Sequence, residues 1–251
     1  MSESKRVRNG STSRQGGRRI SRRTFLRKMT AFSVTALAGS SLLEACSPPP
    51  TMPTTAPTAL LPAKPTPAQA TANPVTVSEA LKKRKSINAF QPQPLPREKL
   101  LDLLWAAWGI NRPDSGKRTA PTAMNAQEID IYVLTSDGAY VYDAKGNQLT
   151  PILAQDLRSK ATTMGSMRDA PVHLLFVADY AKFRMIPQPQ KELYSACHTG
   201  FIGQNVYLYC ASEGLGAHFH TSIDRTVLKD SLKLRDDQAI VFAQVVGYPK
   251  E

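Results

Sequence analysis

Residues 75–251 of this 251-residue chain predict an α+β domain, and three observations carry that reading. Ile129–Thr135 alternates apolar and polar residues like a half-buried strand. Two further strand-like pieces follow it, set off by Ser136-Asp137-Gly138 and Gly146-Asn147, which is the pattern of a meander. A long helical stretch runs from Lys191 to Glu213, so helices and strands mix without the regular alternation of βαβ units.

Taken in order, Thr76-Val77-Ser78-Glu79 has capping-box spacing and starts a helix that runs through Leu81–Lys85. Pro96 suits the first turn of a second helix. Leu100, Leu101, Leu104, Ala107 and Trp108 give that helix an apolar face. After the meander strands (129–135, 139–144 and 148–152), the continuous apolar run Val172–Ala178 predicts a central strand. Gly214 or Gly216 supplies the stop of the long helix. A short helix near Asp224–Leu234 and a last strand, Ile240–Val246, close the chain. Cys197 and Cys210 share the long helix and lie about 20 Å apart at 1.5 Å per residue. A disulfide needs Cα atoms within about 7 Å, so an intrachain bridge is excluded and both are read as buried free thiols.

The first 74 residues have a different character. Arg22-Arg23 followed by Thr24-Phe25-Leu26, Arg27-Lys28 and an apolar run from Met29 to Leu43 has the pattern of an export signal of the twin-arginine class. That run is short for a membrane span, which needs about 20 residues. Leu43-Glu44-Ala45-Cys46 is similar to a lipoprotein cleavage site, which makes Cys46 the expected lipidated residue. Residues 46–74, rich in Pro, Thr and Ala, read as an extended tether. The expected organisation is therefore a signal over 1–45, a tether over 46–74 and one domain over 75–251. The signal also accounts for most of the charge. Residues 1–45 hold ten Lys/Arg and two Glu, which leaves 22 basic and 18 acidic residues of the total 32 and 20. The basic balance is thus no argument for nucleic acid. The sequence has no internal repeat and no zinc, P-loop or GxGxxG pattern, so no metal site is expected.

Three segments, in order, resemble the nitroreductase-like FMN flavoprotein family. They are Lys82–Phe90 (KKRKSINAF), Ala120–Gln127 (APTAMNAQ) and Gly203–Phe219 (GQNVYLYCASEGLGAHF). Leu103–Pro113 and Val245–Pro249 fit its dehydrogenase branch, which includes azoline-forming oxidases. The resemblance implies a central, mainly antiparallel sheet flanked by helices, in a homodimer that binds FMN in two interface clefts. It places the FMN phosphate and ribityl chain on Arg84, Lys85 and Ser86, with Asn88 where the family often has a second basic residue. A permanently charged guanidinium and a hydroxyl are suited to that anion. The loop from Pro121 through Thr122 and Ala123 to Asn125 is implied to reach the flavin from the other subunit. His198 falls where some members place a flavin-facing polar residue. His218–Ser222, with His220 and Thr221, corresponds to the loop beside the flavin N5.

The hard chemistry in such a family belongs to the flavin, so no catalytic side chain is named. The expected activity is hydride transfer between a small organic substrate and flavin N5. The expected location is outside the cytoplasm, exported by the twin-arginine route and held at the membrane by lipid, in the periplasm or on the outer cell face. Such a site meets no NAD(P)H pool, so the expected electron partner is the organic substrate itself or a membrane carrier such as a quinone. The second reading is a lipoprotein of the same fold that binds a ligand or FMN without turnover. Asn88, Ala123 and the close of the chain at Lys250-Glu251 favour it.

Overall fold

The computed structural model describes residues 75–250. The expected signal at Arg22-Arg23, the lipidated Cys46 and the 46–74 tether lie outside the described residues. Helix α1 (Val77–Lys83) starts on the capping box: the Glu79 N–H donates to Thr76 Oγ1 at 3.2 Å, and the Thr76 N–H donates to Glu79 Oε2 at 2.8 Å. The helix stops two residues earlier than the sequence predicts. Arg84 turns to φ −56°, ψ 123°, and the chain runs on extended so that Ser86 forms a parallel bridge with Ala217.

Helix α2 (Arg97–Trp108) follows Pro96, and its buried stripe is Leu100, Leu103, Leu104, Ala107 and Trp108. Leu101, expected in that stripe, is only half-buried, and Leu103 takes the place. The observed spacing of i, i+3, i+4, i+7 and i+8 is the fuller helical period. A small ribbon of β1 (Ile110–Arg112) and β2 (Lys117–Arg118) comes next.

The main sheet is built from β3 (Ile129–Thr135), β4 (Gly138–Asp143), β5 (Gln148–Leu153), β6 (Val172–Asp179), β7 (Gly216–His220) and β8 (Gln238–Gly247). Their order is β5-β4-β3-β6-β8-β7, antiparallel throughout. The α+β reading and the meander are what the structure shows. Strand β6 is buried at every position, because both faces of the sheet are covered. On one face, Leu174 and Phe176 meet Leu103, Leu104 and Trp108 of α2 and Ile202 and Val206 of the long helix α4 (Gln188–Ser212). On the other, Leu175 and Val177 meet Ala161 of the short α3 (Arg158–Ala161) and Leu228 of α5 (Arg225–Ser231).

Helix α4 begins three residues before its expected start, because Pro189 sits in the first turn, where its missing N–H has no intrahelical partner to lose. It ends as expected, with Gly214 at φ +69° just beyond it. Gly203 lets α4 lie close on the sheet edge: a Cβ there would stand 2.7 Å from the Phe219 ring. The stretch His218–His220, expected as loop, is instead the end of edge strand β7, paired with Val245 and Ala243 of β8. Only Thr221 onward is loop, because Phe219 packs against Phe176 and Phe242 and holds the backbone to the sheet. Neither cysteine is bridged. Cys210 is buried, which pushes its thiol well above the ordinary range, whereas Cys197 is exposed. The expectation of two buried thiols thus holds for one of them. Among the described residues no helix is long and apolar enough to cross a membrane.

Candidate functional site

The sequence-expected residues fall into two groups at different heights along α4. The first forms where the chain leaves α1 and runs beside β7. The Ile87 N–H donates to the Ala217 carbonyl at 3.0 Å, which fixes Ser86 against the strand. Gly216 is needed here, since a Cβ would sit 2.8 Å from Ile87 Cγ1. Tyr207, reaching out from α4, ties this group together. Its hydroxyl accepts the Phe219 N–H at 2.9 Å and lies 2.9 Å from Ser86 Oγ. The Arg84 guanidinium lies 5.1 Å above the Tyr207 ring, within cation–π range. Among the described residues no carboxylate pairs with Arg84, and Lys85, Ser86 and Asn88 are exposed around it. The result is a positive, outward-facing corner with an exposed hydroxyl, which is suited to an anion.

His220 and Thr221 continue this edge. His220 is buried, and neither ring nitrogen has a partner among the described residues. Burial, with the charges of His218 and Arg225, pushes its pKa down to about 4, so the ring is neutral at pH 7. Thr221 is exposed at the turn, where its carbonyl accepts from Arg225 Nη1 at 3.1 Å.

The second group is the loop Pro121–Gln127. Met124, Asn125 and Gln127 all take positive φ, of 52°, 54° and 50°, which non-glycine residues adopt only when neighbours hold them there. Those neighbours are visible. The Gln127 N–H donates to Thr122 Oγ1 at 3.1 Å, Gln127 Nε2 donates to Asn125 Oδ1 at 3.1 Å, and Arg118 Nε donates to Gln127 Oε1 at 2.7 Å. Arg118 is itself held by the Trp108 carbonyl at 2.8 Å and the Trp108 ring at 4.6 Å. The Thr122 hydroxyl proton and the Asn125 amide N–H groups have no partner among the described residues and can face a ligand.

His198 packs against this loop from α4. It is 4% exposed, its Nε2 accepts the Ala123 N–H at 2.9 Å, and its Nδ1 lies 2.7 Å from Glu128 Oε1. A backbone N–H can only donate, so Nε2 carries no proton and Nδ1 donates to the carboxyl. With both nitrogens engaged, the ring has none left for a ligand; it holds the loop. Ala123, which brings no hydroxyl, contributes this N–H instead.

Along α4, His198 and Tyr207 are nine residues apart, roughly 13 Å at 1.5 Å per residue. One copy of the chain therefore holds the anion corner and the loop at two separate places along α4. Around His198 the same helix exposes Leu193, Tyr194 and Phe201, at 67%, 38% and 44%. Among the described residues no cluster of His, Cys, Asp or Glu could hold a metal. A groove of about 560 Å³ opens elsewhere, lined by Phe90, Leu95, Tyr140 and Pro171, and it touches none of the residues above. The placement of the polar groups, rather than the size of that groove, marks the candidate site. Sequence reasoning missed Tyr207, Glu128, Arg118 and Gln127. Gln127 and Tyr207 stood within the motif segments, but nothing local says what a Tyr hydroxyl will meet across the fold.

The family model described as the nitroreductase family matches residues 81–248. A solved nitroreductase-type structure from Ralstonia eutropha JMP134 is similar at 36% identity and TM-score 0.69, covering 74% of this chain and 88% of that one. A relative from Methanocaldococcus jannaschii, also named as a nitroreductase, is 26% identical over 172 residues, 64% of this chain and 86% of its own length. A nitroreductase-type structure from Desulfovibrio desulfuricans, solved in complex with FMN, shares the fold at 22% identity and TM-score 0.51, covering 72% of this chain and 89% of that one.

Proposed function

The chain belongs to the nitroreductase family, and we infer from this that it is an FMN-dependent oxidoreductase acting as a homodimer. The observation that carries the reading is Arg84, without a carboxylate partner among the described residues, sharing Tyr207 with the Ser86 hydroxyl, an arrangement suited to a phosphate. Arg84 binds and charge-balances the phosphate, and Ser86 donates one hydrogen bond to it. When bound, the flavin supplies the hydride chemistry at its ring. The chain's own part is to hold and orient. A second copy brings the Thr122 and Asn125 half-site against the anion corner of the first. Support for that arrangement is the roughly 13 Å between half-sites in one chain and the apolar residues exposed on α4 around His198.

The enzyme is of the dehydrogenase type and oxidises a small organic substrate; the segments Leu103–Pro113 and Val245–Pro249 support that branch. It works outside the cytoplasm, exported folded by the twin-arginine route with FMN already loaded, and anchored through Cys46. Its electrons pass to or from the organic substrate or a membrane quinone rather than NAD(P)H. The support is Arg22-Arg23 and Leu43–Cys46. Mixing the purified flavoprotein with NADH should therefore give slow reduction and negligible turnover, and rapid NADH turnover would overturn the assignment of electron partner. The function itself is tested by the visible spectrum of the dimer purified from an export-competent host, with the released cofactor identified by mass. A flavin spectrum and the mass of FMN are expected; a colourless protein that takes up no FMN on titration would sink the reading. Arg84→Ala should weaken FMN binding by about 1.5–3 kcal/mol, the range for hydrogen bonds to charged groups. Unchanged affinity would move the phosphate elsewhere. A protein that holds FMN but cannot be reduced by any donor would select the second reading, binding without turnover, which Asn88 in place of a basic residue favours.

A further inference from the structure

We infer that Tyr207 is the positioning residue that joins Arg84 and Ser86 into one phosphate-binding unit. This inference rests on the flavin reading above and deepens it. The Phe219 N–H has one thing to give and donates it to the Tyr207 oxygen at 2.9 Å. The Tyr207 hydroxyl proton is then free to point at Ser86 Oγ, 2.9 Å away. Either hydroxyl can donate in this contact; with Tyr207 as the donor, an acceptor position on the serine is filled and the serine's own proton faces outward. A phosphate toward a hydroxyl offers only acceptors, so this is the orientation it needs, and a hydroxyl that is already accepting donates more strongly. The same residue holds the guanidinium, whose carbon lies 5.1 Å from the ring centroid and which meets no carboxylate among the described residues. Packing on the ring limits the rotamers of a long side chain that would otherwise be ordered only on binding. Tyr207 itself is fixed at both ends, by α4 and by the backbone of β7. It acts through Arg84 and Ser86, the two residues it holds.

The experiment compares FMN with riboflavin, which differs by the phosphate alone, in binding to flavin-stripped full-length protein followed by flavin fluorescence. Tyr207→Phe keeps the ring and removes only the hydroxyl. It should bind FMN about tenfold more weakly and riboflavin within about twofold of wild type. Tyr207→Leu, which also removes the ring beneath Arg84, should lose more FMN affinity and again spare riboflavin. Ser86→Ala should show the same FMN-selective loss, and adding Tyr207→Phe to it should cost little more, because both changes break one chain of hydrogen bonds. A purely structural Tyr207 would weaken both flavins alike, and that result, or a Tyr207→Phe protein with unaltered FMN affinity, overturns the inference while leaving the flavin site standing. A wild-type protein that binds FMN no better than riboflavin overturns the phosphate placement, and the role of Tyr207 falls with it.

Discussion

Replacing His198 by alanine should destabilise the folded protein by about 3 kcal/mol, since each buried hydrogen-bonding group left unsatisfied costs about 1–3 kcal/mol. Two groups are stranded at once. Glu128, fully buried, loses the N–H that its Oε1 accepts at 2.7 Å, and its Oε2 has no partner among the described residues to take over. The Ala123 N–H loses the acceptor it has among the described residues, and with it the Pro121–Gln127 loop loses its tie to α4. The rings of Phe183, Tyr194 and Phe201 around His198, with centroids 6.0–6.4 Å away, close the space against water. Urea unfolding at pH 7 reads the loss directly. The double variant His198→Ala/Glu128→Gln should recover part of it, because the buried acid is then uncharged. A single-variant loss below about 1 kcal/mol, or no recovery in the double, would show that the pair does not hold the loop.

Acidification should be the second large effect, and it acts through the other sheet face. His173 on β6 is 0% exposed, and both its ring nitrogens are without partners among the described residues. Burial first, then the charges of His220 and Arg158, push its pKa down to about 3. The folded value lies below the ordinary 6.5, so between pH 6.5 and 3 the unfolded chain holds the additional proton. Stability is therefore complete above about pH 6.5, falls as pH drops, and levels off once the folded ring also protonates. For His173 alone the loss between pH 7 and pH 4 is on the order of 3 kcal/mol. His220, pushed to about 4, adds to it in the same sense, by less because it lies at the sheet edge. Carboxylates titrate in this window too, so the test is a difference: unfolding free energies at pH 7, 5.5 and 4 for wild type and His173→Leu. The variant should show a flatter dependence, by about one proton. Parallel curves would show that His173 takes up its proton as readily in the folded chain as in the unfolded one.

The elements of the fold were legible because each is written in a local rule. Thr76 and Glu79 spell the cap of α1, the alternation in Ile129–Thr135 spells β3, and the unbroken apolar run at Val172 spells a strand covered on both faces. Where local rules competed with long-range pairing, the pairing won. Arg84 and Lys85 left the helix their neighbours favour so that Ser86 could meet Ala217, and His218–His220 became strand through β8. At the site, residue types were legible and their tasks were not. Arg84 and Ser86 stand where an anion can reach them, as the motif implies. His198 has the polarity of a ligand contact, yet it spends both nitrogens inside the chain.

The sequence by itself determined the α+β class, the order of the elements and a family whose chemistry belongs to a flavin. These depend on the spacing of apolar, capping and turn residues over a few positions. Only the tertiary structure decided which polar atoms remain free. Ser86 and Tyr207 meet across 121 residues and Glu128 and His198 across 70, and no periodicity encodes partners at that distance. A hydrogen bond is directional and uses up the group that makes it, so the available donors at the site follow from the packed arrangement of the whole domain.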